Sequence, residues 1–195
     1  EQQMPALLKE QTGYAGEYFV LHRLDREVSG VMLFAKSKFA AAALSAQIAD
    51  RKLQKEYLAV VHGAPAQNTG VLEDFLFKDS KRNKSFVVKR QRKGVKAAAL
   101  SYAVLGQKQG LSLVKIRLHT GRTHQIRVQF SARQMPLYGD KKYGGHDNAP
   151  IALFSNKIVC AHPKTGEMLS FHALPPAVFP WDLFDIKESI NNETC

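Results

Sequence analysis

The sequence predicts an α+β fold with a mixed, largely antiparallel central sheet, flanking helices and a cleft. Short apolar runs with period-two alternation recur along the chain, and glycine-bounded turns separate several of them. Only two stretches read clearly as helix. Strands and helices do not alternate regularly, which excludes a doubly wound parallel sheet.

Taken in order, "YFVLH" predicts a strand, and "GVMLFAKS" a second one after a charged turn, with Gly30 at its start. Ser37 is placed to cap a helix through "KFAAAALSAQIAD", whose alanines favour helix and whose Phe39, Leu44 and Ile48 supply apolar contacts. "KEYLAVVHG" alternates: Tyr57, Ala59 and Val61 share one face, Leu58 and Val60 the other. Residues 97–118 read as a hairpin around "GQKQG", with Val114, Ile116 and Leu118 on one face. Thr123 then caps a helix through "HQIRVQFSAR", where Ile126 and Phe130 lie one turn apart. "PLYGDKKYGG" is a loop by its Gly and Pro content. "NKIVCAHPKTGEMLSFHA" reads as a hairpin around "PKTGE", and the tail "PPAVFPWDLFDI" is apolar enough to dock on the body.

The 195 residues, 45% of them hydrophobic, suffice for one substantial core, so residues 1–195 are expected to form a single domain. The net charge of +11 points to a polyanionic partner, a nucleic acid or a membrane surface. Two cysteines, Cys160 and Cys195, make no disulfide framework. The N-terminus lacks a basic start followed by an apolar core, and no apolar run approaches membrane-spanning length. A soluble protein in a reducing, cytoplasmic setting is expected. Because the chain opens on Glu1, a fragment of something longer is also expected.

Positive charge is concentrated in "KDSKRNKSFVVKRQRKGVK", residues 78–96, with nine Lys or Arg against one Asp. Either this is a solvated flexible hairpin or it is a flap that grips phosphates, with Lys89, Arg90, Arg92 and Lys93 foremost. Chemistry is suggested by "VLHRLDREVSG", where His22, Arg23 and Asp25 follow an apolar run. Asp25 alone reads most simply as a turn residue. A neighbouring guanidinium would hold it ionised, fit to act as nucleophile or base. In "LHTGRTHQIRVQ", Arg122 and the donors at a helix start make an anion site for a phosphate or for Asp25; Arg122 could equally form a surface pair. His124 reads as a capping or packing residue, and the histidine spacings suggest no metal site. Tyr57 is a core tyrosine or a groove residue able to stack on a base.

Together these segments resemble a family. "HRLDREVSGVMLFAKS", "KEYLAVVHG", "TGRTHQIRVQ", "PLYGDKKYGG" and "AHPKTGEMLSFHALPP" occur in the order seen in the catalytic domain of the RluA branch of RNA pseudouridine synthases, over roughly residues 18–176. The resemblance implies the pseudouridine synthase fold and an enzyme that isomerises a uridine in ribosomal or transfer RNA without cofactor or metal. Asp25 matches the catalytic aspartate, which would attack the sugar or the base or remove a sugar proton. Arg23 matches the arginine that fills the stack when the target nucleotide flips out. Tyr57 matches the active-site tyrosine, and Arg122 is matched to the basic residue that pairs with the aspartate. His22 and His124 join the expected RNA-binding set, and Ile126 and Leu153 look like pocket walls.

Some features depart from the family pattern. Val28 stands where threonine is usual, and Phe154–Ser155 where histidine–alanine is common. An N-terminal strand with a lysine–proline–alanine–glycine motif and a separate RNA-binding module have no counterpart in the sequence, so the expected domain lacks its extreme N-terminal strand. A different class of reading, a non-catalytic RNA-binding module on the same scaffold, would not require Arg23, Asp25, Tyr57 and Arg122 together. A phosphate-ester hydrolase would need a metal cluster or a nucleophile–base pair, and the sequence suggests neither.

Overall fold

The strand from Gln54 to His62 is the spine of the molecule, and its alternation explains why. In the computed structural model, which describes residues 3–191, Tyr57, Ala59 and Val61 enter one apolar cluster and Leu58 and Val60 another. Both faces of the strand are therefore buried, as its near-continuous apolar run requires.

Chain order is α1 (Gln3–Thr12), β1 (Phe19–Val20), β2 (Ser29–Gly30), β3 (Phe34–Ala35), α2 (Lys38–Ala49), β4 (Gln54–His62), β5 (Thr69–Asp79), β6 (Lys84–Val88), β7 (Val95–Lys108), β8 (Leu111–Leu118), α3 (Gln125–Ser131), β9 (Leu153–Ala161), β10 (Met168–His172) and α4 (Ile186–Asn191). A single 3₁₀ turn, Trp181–Leu183, precedes α4. The main sheet runs β10-β9-β4-β8-β7-β5-β6, and β2 lies parallel to β9. All other pairings in it are antiparallel. No helix among the described residues is long and apolar enough to cross a membrane.

On one face, α3 lays Ile126 and Phe130 over Tyr57, Val114 and Ile116. On the other, Trp181, Phe184 and Ile186 of the C-terminal tail cover Leu58, Val60 and Leu113, so the tail docks as its composition suggested. Helix α2 closes a third cluster with Leu44 against Ile158 and Cys160. Ser37 caps α2, its hydroxyl accepting from Ala40 N at 3.2 Å. Cys160 is free and buried; Cys195 and Glu1 lie outside the described residues.

The structure corrects three local expectations. "GVMLFAKS" is not one strand: Ser29–Gly30 pairs with β9, while Phe34–Ala35 pairs with β1 in a separate two-stranded sheet. Gly30 has φ 126°, and a Cβ there would collide with the Ser155 backbone. Thr123 does not cap α3. The residue before the helix is His124, in the left-handed region at φ 54°, with no side-chain cap. Gln125 folds back instead, its Oε1 accepting from Arg122 N at 3.0 Å and Thr120 Oγ1 at 2.7 Å. The basic stretch is not a flexible hairpin throughout: its β6 segment is paired along β5, and Ser85 within that segment is buried.

Candidate active site

Asp25 sits in the turn between β1 and β2. Val28 N donates to Asp25 O at 3.0 Å, and the Val28 side chain is buried in the core, so the apolar departure from the family pattern anchors the turn by packing. Downstream, Val31 N donates to Ser155 O at 2.8 Å and Ser155 Oγ donates to Val31 O at 3.0 Å. The parallel β2–β9 contact thus fixes the turn to the sheet.

The partner of Asp25 is Arg127, on the buried face of α3. Its Nη1 donates to Asp25 Oδ2 at 3.2 Å. Its Nε and Nη2 donate to Asp140 Oδ2 and Oδ1, each at 2.7 Å, in a two-pronged pair with a carboxylate that is 0% exposed. Burial opposes the charge on Arg127, but Asp140 and then Asp25 outweigh it and hold the guanidinium protonated. The expectation that Arg122 pairs with Asp25 is therefore corrected. Arg122 lines the same cleft, but its Nε donates to Ala97 O at 2.9 Å. The left-handed turn at His124 separates the two arginines and delivers Arg127 inward.

His124 is also buried, with Nε2 3.9 Å from Asp25 Oδ2. Its Nδ1 lies 2.9 Å from the Tyr143 hydroxyl, which accepts from Ser85 N at 2.7 Å. That hydroxyl's own hydrogen is then available to Nδ1, which leaves the imidazole proton on Nε2, facing the carboxylate. Burial lowers the His124 pKa, against the pull of Asp25. His124 thus forms a wall of the aspartate site and lines the cleft. Both nitrogen contacts fall on Asp25 Oδ2; no hydrogen bond from the described residues reaches Oδ1.

Asp25, Arg122, His124 and Arg127 line a cleft of about 790 Å³, together with His22, Arg23, Tyr57, Ile126 and Leu153. Tyr57 lies opposite Ser155 on β9. Burial pushes its phenol up to about 12; a Ser155 hydrogen bond opposes this and the Asp25 charge adds to it, so the phenol is protonated at neutral pH. Ser155, half of the Phe154–Ser155 departure, therefore serves both Tyr57 and the Asp25 turn. His22 is partly buried, its Nε2 accepting from Leu33 N at 3.1 Å. Lys89, Arg90, Arg92 and Lys93 are exposed at and beyond the end of β6, outside the cleft lining.

A sequence model described as RNA pseudouridylate synthase matches residues 2–132, two thirds of the chain. The chain belongs to the RNA pseudouridylate synthase family. The chain is similar to the uncharacterized RNA pseudouridine synthase YlyB of Bacillus subtilis, with 33% identity over 174 residues, 88% of this chain and 55% of that protein. It is also similar to ribosomal large subunit pseudouridine synthase D of Zymomonas mobilis (33% identity, 80% of this chain, 52% of that one). Ribosomal large subunit pseudouridine synthase C of Buchnera aphidicola is 32% identical over 79% of this chain and 52% of its own length. The chain thus spans about half the length of these relatives. Among solved structures, human RNA pseudouridylate synthase domain containing 4 superposes with TM-score 0.76 at 24% identity, over 92% of this chain and 80% of that one. Human RNA pseudouridylate synthase domain containing 1 gives 0.77 at 21%, over 96% and 83%. The pseudouridine synthase fold expected from the motifs is the fold observed.

Two site residues escaped the sequence reading. Arg127 lies in the same motif as Arg122, and only the backbone turn between them decides which one faces Asp25. Asp140 sits in a Gly-rich loop, where an aspartate ordinarily stays at the surface.

Proposed function

We propose that this chain isomerises uridines in RNA to pseudouridine at Asp25. The observation that carries the reading is the Asp25–Arg127–Asp140 array in a cleft large enough for a flipped nucleotide. Isomerisation breaks the bond from C1′ to N1 and forms one from C1′ to C5; C5 loses a proton and N1 gains one. Asp25 Oδ1 is the oxygen left to act, on the sugar, on the base or on a sugar proton. Arg127 holds Oδ2 and orients the carboxylate. Tyr57 offers a ring for the uracil to stack on and a protonated hydroxyl beside Asp25.

Arg23 at the cleft mouth would fill the vacated stack. Exposed Lys89, Arg90, Arg92 and Lys93 would grip the backbone without reading its sequence. The names of two relatives favour ribosomal RNA over transfer RNA as the substrate. No cofactor or metal enters the proposed chemistry.

The test is tritium release from RNA labelled at uracil C5, with rRNA and tRNA fractions assayed separately. Wild-type chain should release tritium, and Asp25→Asn should abolish release while leaving RNA binding nearly intact. Tight, salt-sensitive binding with no release from any fraction would favour the non-catalytic RNA-binding module.

A further inference from the structure

The cleft extends beyond the groups that the chemistry uses. Past Tyr57 it runs toward the C-terminal end of α2, where Ile48, Arg51, Leu53 and Lys55 line it. Lys55 lies two residues before Tyr57 on β4, about 7 Å along the strand. Its side chain is partly buried, yet no carboxylate among the described residues lies within ion-pair distance of it. A cation drawn out of water without a counter-charge is costly and does not persist without a compensating gain. Burial accordingly depresses the pKa of the Lys55 ammonium.

A buried donor without an acceptor stands on the same cleft wall. His22 Nε2 accepts from Leu33 N, so the neutral ring carries its proton on Nδ1, which is buried and has no acceptor. Lys55 and His22 are close enough for the ammonium to lower the imidazole pKa, and both line the cleft. The carboxylate lining that cleft is Asp25, already engaged by Arg127, while Arg23, Arg51, Arg117 and Arg122 add positive charge around the wall. A part-buried ammonium with no counter-charge in a basic groove, one strand step from Tyr57, describes a site fit for an anionic oxygen.

We propose that Lys55, on the cleft wall it shares with His22, forms a subsite for an RNA backbone phosphate flanking the flipped nucleotide, an assignment that rests on the RNA reading above. Holding the adjacent phosphate would fix the strand's path as the target base leaves the stack and enters the Asp25 end. The subsite would also serve any uridine, because a phosphate carries no sequence information.

The test combines Lys55→Met, Lys55→Gln and Lys55→Arg with single-stranded substrate RNA carrying one uncharged methylphosphonate linkage, moved stepwise past the target uridine. Removing one phosphate contact should lower the slope of log affinity against log salt by about 0.7 for a single strand. Lys55→Met and Lys55→Gln should show that loss, and Lys55→Arg should restore the wild-type slope. In wild type, one flanking methylphosphonate should weaken binding several-fold; in Lys55→Met the same linkage should cost nothing further. Urea unfolding should find Lys55→Met at least as stable as wild type, as removal of an unpaired buried charge requires. Unchanged salt slopes, or losses that simply multiply at every linkage, would overturn the subsite and show Lys55 to be a packing stem with a solvated head. Failure of the isomerase reading is separately visible, since wild type would then release no tritium while the binding measurements still report on Lys55.

Discussion

Asp140→Asn removes one acceptor from a fork that has nowhere else to turn. Asp140 is 0% exposed and takes both prongs of Arg127 at 2.7 Å, so an amide nitrogen would face an N–H of the guanidinium with no water to intervene. Breaking a buried pair by neutralising one member costs about 3–5 kcal/mol, and the part-exposed Asp25, 3.2 Å from Nη1, leaves Nε and Nη2 without a carboxylate. For a chain of 195 residues, at about 2–4 °C per kcal/mol, the melting temperature should fall by about 6–20 °C. Urea unfolding and calorimetry would measure this, alongside tritium release. Release should fall far more than the folded fraction does, since Arg127 is then no longer held against Asp25. Replacing both partners, Arg127→Met with Asp140→Leu, should recover much of the stability but none of the activity. The reasoning is refuted if Asp140→Asn stays within about 1 kcal/mol of wild type, or if the apolar double variant is no more stable than the single one.

Other consequences follow from the same geometry. Tyr143→Phe deletes the hydroxyl between Ser85 N and His124 Nδ1; ring nitrogen-15 spectra should then show loss of the fixed Nε2–H tautomer and protonation of His124 at a higher pH. An unchanged tautomer would mean that Tyr143 does not set it. Burial, and then Lys55, push the His22 imidazole down to about 4 from its ordinary 6.5. The unfolded chain therefore binds more protons between those values, so stability should fall as pH drops from 6.5 toward 4, by at most about 3 kcal/mol. His22→Gln should flatten that slope in urea titrations, and an identical slope would assign the acid sensitivity elsewhere. Neutralising Lys89, Arg90, Arg92 and Lys93 together should reduce the salt slope of RNA binding by up to about 3, at ~0.7 per phosphate; no change would remove the hairpin from the interface.

Legibility in the sequence followed local chemistry. The Ser37 cap, the alternation of β4, the glycine-bounded β7–β8 hairpin and the charged turn at Asp25 are written in residue types that act within a few positions. Strand β5 was missed because its inward row is Leu72, Asp74, Leu76. The carboxylate breaks the apolar pattern, and only the folded chain shows it satisfied by Gln129 Nε2 at 2.8 Å and Arg133 Nη1 at 2.9 Å. Arg127 presented a similar difficulty. A buried arginine in a seven-residue helix defeats amphipathic reading, and its partners lie 13 and 102 positions away. Asp25 could be found from its surroundings in sequence, whereas its guanidinium depended on one left-handed residue, His124.

The separation of 102 positions between Asp25 and Arg127 has a consequence during synthesis. The Asp25 carboxylate leaves the ribosome well before the helix that will orient it, and Asp140 emerges later still. Until α3 docks and the 136–145 loop closes behind it, Asp25 is an ordinary solvated turn residue on an unfinished sheet. A nascent or damaged chain would carry the basic β5–β6 hairpin before the Asp25–Arg127–Asp140 array is assembled. The array at Asp25 is thus one of the last things the folding chain completes.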